Sequence, residues 1–218
     1  PWGNATATAR WNHLFTDKLF LNTSLIYNSY HFLIDIAQSD FEVQLFSGIH
    51  DYNAKIDFDY MPAIRHQIQF GINYVYHVFT PSTVSGKSGD VNFDATGILK
   101  KYGHEAALYA LDKWDITDKI QVNAGLRFSL FDQVGPYKKN IYDFMGNLVD
   151  SITYSKGQQI KTYLGLELRL LFRYTLNEVS SLKASFNISN QYVHLVSNNG
   201  TTLPTDIWVP SSLVVKPQ

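Results

Sequence analysis

Three observations predict an all-β chain, an antiparallel transmembrane β-barrel. Long stretches alternate apolar and polar residues with a period of two, the connections between them alternate between short and long, and aromatic residues gather near those connections. A strand that crosses a membrane meets hydrocarbon on one face and a wet interior on the other, so only every second residue is apolar. The composition carries the same mark. The 218 residues include 14 Tyr, 14 Phe and 4 Trp, yet the mean hydropathy is only -0.15, because the polar half of each strand dilutes the apolar half.

The strands follow in order along the chain. Ala54, Ile56, Phe58 and Tyr60 alternate with Asn53, Lys55, Asp57 and Asp59. Ile68, Phe70, Ile72, Tyr74, Tyr76 and Val78 are set against Gln67, Gln69, Gly71, Asn73 and His77. The clearest case runs from Ile120 to Leu130, where Val122, Ala124, Leu126 and Phe128 oppose Asn123, Gly125, Arg127 and Ser129. From Leu164 to Leu176 an apolar face of leucines, Phe172 and Tyr174 opposes Gly165, Glu167, Arg169, Arg173 and Thr175, a face whose charges call for nearby water. Leu182, Ala184, Phe186 and Ile188 then alternate with Lys183, Ser185, Asn187 and Ser189 to complete a hairpin. About eight strands in four hairpins are expected, a unit of roughly 50 residues.

The short connections are Thr16-Asp17-Lys18, Pro62 to Arg65, Thr117-Asp118-Lys119 and Asn177 to Ser180. The long ones cover roughly Ile34 to Gly48, Pro81 to Gly103, Gln133 to Gln159 and Asn198 onward. Short turns at one rim and long loops at the other is the layout of outer-membrane barrels, the short turns being periplasmic. Strands are expected to continue above the membrane within the long connections, and Gly146-Asn147 suits a two-residue hairpin turn there. Strand length separates this reading from a soluble sandwich: sandwich strands average about 5 to 6 residues, whereas a tilted membrane strand needs about 9 to 11. Trp11, Phe15, Tyr60, Trp114 and Tyr174 lie near short turns and are expected to form a lower interfacial belt; Tyr27, Tyr30, Tyr76, Phe131 and Tyr192 are the expected upper belt.

Composition removes several function classes. A net charge of -1 supplies no basic footprint for nucleic acid. With no cysteine there are no disulfides, thiolate metal sites or cysteine nucleophiles. No run of 18 apolar residues offers a transmembrane helix. A chain that opens at Pro1 and stops at Pro217-Gln218 within a loop-like stretch reads as a piece of something longer.

No motif supports an enzyme or a cofactor. Ser85-Gly86-Lys87-Ser88 has the end of a phosphate-binding loop, but Pro81 stands where that loop needs glycine. Asp90-Val91-Asn92-Phe93-Asp94 resembles the start of a calcium loop, but Ala95 and Lys101 replace its turn glycine and bidentate glutamate. Asp57 and Asp59 share a strand face, where solvated interior charges explain them better than acid-base catalysis. The seven histidines lack metal-ligand spacing, and the Asn-x-Ser/Thr triplets at Asn4, Asn22, Asn187 and Asn199 match chance frequency.

The run from Tyr192 to Ser212, with Asn198-Asn199-Gly200-Thr201-Thr202-Leu203-Pro204-Thr205-Asp206-Ile207-Trp208-Val209-Pro210 at its centre, precedes Val215-Lys216-Pro217-Gln218. This stretch resembles a signature of Bacteroidetes TonB-dependent receptors. Similar segments match Gly3 to His13, Phe46-Ser47-Gly48-Ile49, His104-Glu105-Ala106-Ala107, and Asn123-Ala124-Gly125-Leu126-Arg127 with Val134-Gly135-Pro136-Tyr137, so the resemblance covers nearly all the chain. It implies that residues 1–218 are part of one barrel domain, an arc of about eight consecutive strands in a wall of about 22. It further implies an outer-membrane location, energy-coupled uptake of a nutrient such as a glycan, peptide or siderophore, and coupling to the TonB complex through a plug and N-terminal region outside this chain. Membrane lipid and the remainder of the barrel and plug are the implied partners, and a surface lipoprotein lid is one that the resemblance allows. Asp206 and Trp208 are the candidate contacts to a ligand or lid.

Two rival classes stand beside this one: a stand-alone small barrel acting as anchor or adhesin, and a soluble β-sandwich binding module. An isolated arc has two bare edges, which lipid does not tolerate, so the segment is expected to belong to a complete barrel.

Overall fold

The computed structural model describes residues 1–38, 41–88, 91–94, 100–196 and 207–218. The strands are β1 (Trp2–Thr16), β2 (Leu19–Gln38), β3 (Phe41–Ala63), β4 (His66–Ser88), β5 (Val91–Asp94), β6 (Lys101–Asp115), β7 (Ile120–Val134), β8 (Tyr137–Tyr142), β9 (Leu148–Tyr154), β10 (Gln159–Asn177), β11 (Ser180–Asn187), β12 (Val193–Val196) and β13 (Ile207–Pro210). No helix occurs among the described residues.

One antiparallel sheet dominates, in the order β1-β2-β3-β4-β6-β7-β10-β11, with the short β5 added beside β4. Its eight main strands therefore pair in sequence order, as expected. The barrel is not closed within this chain, because β1 and β11 are the two ends of the sheet. Two-residue turns at Asp17-Lys18, Ile64-Arg65 and Glu178-Val179 and the turn Ile116–Lys119 mark one rim.

At the opposite rim the strands run on into the long connections, as expected there. Residues 34–38 and 41–48 pair residue by residue, with Ile34 opposite Leu45 and Gln38 opposite Phe41. Likewise β4 runs on to Ser88 and pairs there with β3 and β5. The reason is that a pair of strands leaving the membrane together can keep satisfying each other's backbone N–H and C=O groups, whatever the side chains meet. Ser85-Gly86-Lys87-Ser88 thus lies within a strand and precedes no helix. Between β7 and β10 the hairpin β8–β9 stands apart as its own two-stranded sheet. Its turn is not the two-residue Gly146-Asn147 form but spans Asp143–Asn147: the Asp143 carboxylate accepts from the backbone N–H of Met145 and Asn147, both at 2.8 Å, and Gly146 adopts φ +86°.

Alternation sorts the side chains onto two faces. On one, Leu126 and Leu166 are 51% and 63% exposed, with Leu108, Phe128, Leu164 and Phe70 beside them. On the other, Ser129 is fully buried and Glu167 is 4% exposed. A water-soluble sheet does the reverse. Trp11, Phe15, Tyr60, Trp114 and Tyr174 all lie on the apolar face near the short turns, as expected. Toward the other rim Tyr27, Tyr52, Tyr76 and His104 line up across four strands. His104 and Trp114 are ten positions apart on β6; at about 3.3 Å per residue and about 40° of tilt, the two aromatic rows stand roughly 25 Å apart.

Tyr30, Phe131 and Tyr192 do not belong to that upper row. Tyr30 and Phe131 fall on the polar face by strand parity, and Tyr192 follows β11 in a segment that turns back over the same face. There the β12–β13 hairpin contacts β3, β4 and β6, and Tyr163 Oη on β10 donates to the carbonyl of Ser212 at 2.7 Å. The described part of the C-terminal stretch is thus folded inward rather than standing free as a rim loop. The main core forms beneath it, from Phe32, Ile49, Phe79, Phe131 and Tyr192, with Phe131 and Tyr192 stacked at 5.3 Å. Truncating Phe131 to Ala is expected to cost about 3 to 5 kcal/mol. The loss is measured as a lowered denaturant midpoint, accompanied by faster proteolysis around residues 188–192 as the segment undocks.

Candidate functional site

The polar face beneath the docked segment carries one connected set of charged and hydroxyl side chains, each placed by strand parity. From β3 come Asp51, Lys55 and Asp57; from β4, His77; from β6, Glu105 and Tyr109; from β7, Arg127 and Ser129; and from β10, Glu167. Adjacent strands bring Tyr109 opposite Arg127 and Arg127 opposite Glu167.

His77 Nδ1 donates to Asp51 Oδ1 at 2.7 Å, while its Nε2 faces Glu105 at 3.6 Å. The second distance is that of an ion pair rather than a hydrogen bond. Arg127 bridges two carboxylates, Glu105 and Glu167, at 3.7 Å each. Its guanidinium also lies 5.8 Å from the Tyr109 ring centre, as does the Lys55 ammonium. Lys55 pairs with Asp57 at 2.9 Å, and Tyr109 donates to Asp57 as well. Ser129 has a single hydroxyl proton and gives it to Glu167 at 2.9 Å, so the 2.9 Å contact with Tyr192 is one in which the phenol donates to Ser129. The chain of contacts thereby runs from the wall into the docked segment.

Glycines make the room. A Cβ on Gly71 meets the Tyr109 phenol, one on Gly103 meets the Phe131 ring, and one on Gly165 meets Tyr192, Ser129 and Asn190. Tyr109, Phe131 and Tyr192 therefore each lie over a position that has no side chain.

The arrangement can hold charge and position a segment. Asp57 and Asp59 do not act as a pair, since Asp59 accepts from Gln69 at 2.6 Å while Asp57 is held by Lys55 and Tyr109. Among the described residues no group of three or more His, Asp and Glu is placed to bind a metal ion. The expectation that water surrounds the charges on β10 is corrected at Glu167, which is covered by Tyr192 and satisfied by Ser129 and Arg127. Sequence reasoning missed His77 and Glu105 as partners, because 28 residues separate them and only the pairing of β4 with β6 unites them. Parity offered a signal, since His77, Arg127 and Glu167 all oppose apolar faces.

Of the two candidate contact residues, Asp206 lies outside the described residues. Trp208 is on β13 opposite Leu195, and its indole Nε1 is buried with no acceptor among the described residues. Nearby, His194 Nε2 and Ser211 Oγ are 3.0 Å apart.

No protein-family model matches this chain, and no curated protein matches it in sequence. In three dimensions it is similar to the ferric citrate transporter FecA in its unliganded form, with a TM-score of 0.56 at 12% identity over 87% of this chain and 27% of that one. Two structures of the ferric-catecholate import receptor Fiu from E. coli K12 also match at 14% identity and a TM-score of 0.48, the closed form over 91% of this chain and the open form over 86%, each across 35% of the Fiu chain. The chain thus spans about a quarter to a third of the length of these proteins. At such identities the likeness is one of fold: an antiparallel sheet like the wall of an outer-membrane receptor barrel.

Replacing Arg127 by Met leaves Glu105 and Glu167 without their shared cation. Because Arg127 is about a quarter exposed, the expected loss is about 2 kcal/mol, below the range for a fully buried pair. A cycle with Glu167→Gln tests the assignment: the double variant recovers part of the loss if the two groups act on each other. Burial lowers the pKa of His194 from its ordinary 6.5, outside the wall strands. The neutral ring is therefore favoured in the docked hairpin, docking is fully held above pH 6.5, and it weakens as pH falls below that value. The protection factors of the amides at residues 192–196, exchange rates corrected for the intrinsic pH dependence, are expected to fall between neutral and mildly acidic pH, and His194→Gln removes that fall.

Proposed function

We propose that this chain is part of the barrel wall of an outer-membrane, TonB-dependent receptor that imports a nutrient. The observation that carries the reading is the inverted sheet: leucine and phenylalanine exposed on one face between two aromatic rows, and ion-paired groups buried or half-buried on the other. The spacing of those rows, roughly 25 Å, equals the height of the apolar band on such barrels. Likeness of fold to a quarter of a ferric citrate transporter supports the same reading, and so does the resemblance of the 192–218 stretch to Bacteroidetes members of the family.

In this reading residues 1–218 belong to one barrel domain of about 22 strands, whose other strands cover the edges of β1 and β11. The polar face lines the interior, and the two-residue turns face the periplasm. Binding and gating are the mechanism, not catalysis. TonB acts through a plug outside these residues, and a surface lipoprotein is a further partner to be sought. Trp208, on the strand β13 that lies over the polar face, is a proposed contact to solute or lid, and Asp206 is proposed with it. The imported compound is a nutrient whose chemistry the wall does not encode.

The test is a charge on each face of the complete protein. Leu126→Arg or Leu166→Arg places a cation in hydrocarbon and is expected to cost about 2 to 4 kcal/mol, read as impaired insertion or a lowered folding midpoint in lipid vesicles. Gln121→Arg, on the interior face, is expected to change little. Equal tolerance at both faces, or an intact protein that stays in buffer without detergent, overturns the reading.

A further inference from the structure

We propose that a tyrosine-lined cleft on the apolar face, at the upper aromatic row, binds the phosphorylated sugar headgroup of an outer-leaflet glycolipid. The inference rests on the reading of that face as lipid-facing.

The rings here form a continuous shelf across three strands. Tyr52 and Tyr76 lie 6.2 Å apart, Tyr76 and Tyr102 are 6.2 Å apart and within 10° of parallel, and Tyr76 stacks on His104 at 4.9 Å. Tyr74 Oη and His104 Nδ1, 2.7 Å apart, fix the imidazole. The base of the β8–β9 hairpin closes the shelf into a cleft of about 280 Å³ bounded by Tyr74, Tyr76, Tyr102, His104, Gly135 and Lys156. That base is held in place: Gly135 N–H donates to the Gln158 carbonyl at 2.8 Å, and Gly157 N–H to that of Gly135 at 2.9 Å. Val134 at the back is only 6% exposed although it lies on the apolar face, which shows how far the hairpin base covers it.

The chemistry of the lining selects the ligand. Flat aromatic faces take the C–H faces of a sugar ring, and the phenols and the imidazole can exchange hydrogen bonds with hydroxyl groups. Lys156, exposed at the rim, supplies the cation for a phosphate. The volume, about 280 Å³, falls just below the range of whole-ligand clefts, roughly 300 to 1,000 Å³, and so suits part of a headgroup rather than a whole lipid. Below the cleft Ile72 and Leu108 continue as exposed apolar surface, along which the acyl chains descend.

The complete protein in detergent is incubated with diphosphorylated lipid A, with phosphatidylglycerol, or with a neutral glycolipid, and the lipid retained is counted by native mass spectrometry. The expected result is about tenfold greater retention of lipid A than of either other lipid, since phosphatidylglycerol lacks the sugar and the neutral glycolipid lacks the phosphate. Tyr76→Ala and Lys156→Ala are each expected to lower that retention about fivefold, while Trp114→Ala at the opposite rim leaves it unchanged. Lys156 is on an exposed turn, so its replacement separates lost binding from lost folding. Equal retention of the three lipids, or of lipid A by the wild type and both cleft variants, overturns the inference. A protein that inserts into vesicles yet shows that equality leaves the receptor reading standing; one that never inserts removes both.

Discussion

Everything in this molecule depends on parity along an unbroken ladder. Side chains of neighbouring strands share a face only while the pairing advances residue by residue, and a slip of one position transfers a whole strand's apolar set to the other side. Across the eight main strands the irregularities sit near strand ends, between Leu14 and Thr16, Tyr60 and Ala63, Thr175 and Asn177, and Gln159 and Lys161, with one more at Phe46 to Gly48 beyond the upper aromatic row. Between the two aromatic rows the register never shifts. Bulges bend and twist a sheet, so confining them to the rims lets the wall shape its edges without mixing its faces.

The same parity explains how a wall can bury charge. Glu167, Arg127, Glu105 and His77 come from four different strands yet meet because all occupy the same side of consecutive ladders. Isolated, each would be costly to cover; joined, each carboxylate has a cation or a hydroxyl donor. Glycines complete the design by leaving positions bare under Tyr109, Phe131 and Tyr192, so that the ends of these rings approach the sheet closely. The docked C-terminal segment then rests on a surface that is both charged and contoured, and its own Tyr192 enters the network through Ser129.

Much of the wall was legible from sequence. Alternation from Ile120 to Leu130 and from Leu164 to Leu176 translates directly into β7 and β10, and the aromatics near the short turns occupy the lower row. Other features escaped because they depend on partners far along the chain. The stretch from Ile34 to Gly48 reads as a long connection into which strands continue, but how far they run is set by backbone bonds between β2 and β3 that no side chain announces. Phe131 and Tyr192 read as interfacial aromatics, since a sequence that shows a tyrosine near a strand end does not show what folds over it.

By itself the sequence determined which residues alternate, where the tight turns fall, and hence that the strands pair in order with one apolar and one polar face. Those properties are local: a period of two and a turn need only adjacent residues. Only the tertiary structure decided that His77 lies between Asp51 and Glu105, that Glu167 is dry, and that the hairpin of Trp208 is folded inward over the polar face. These follow from the superposition of registers across several strands and from the return of a distant segment, and neither is encoded in any short window of the chain.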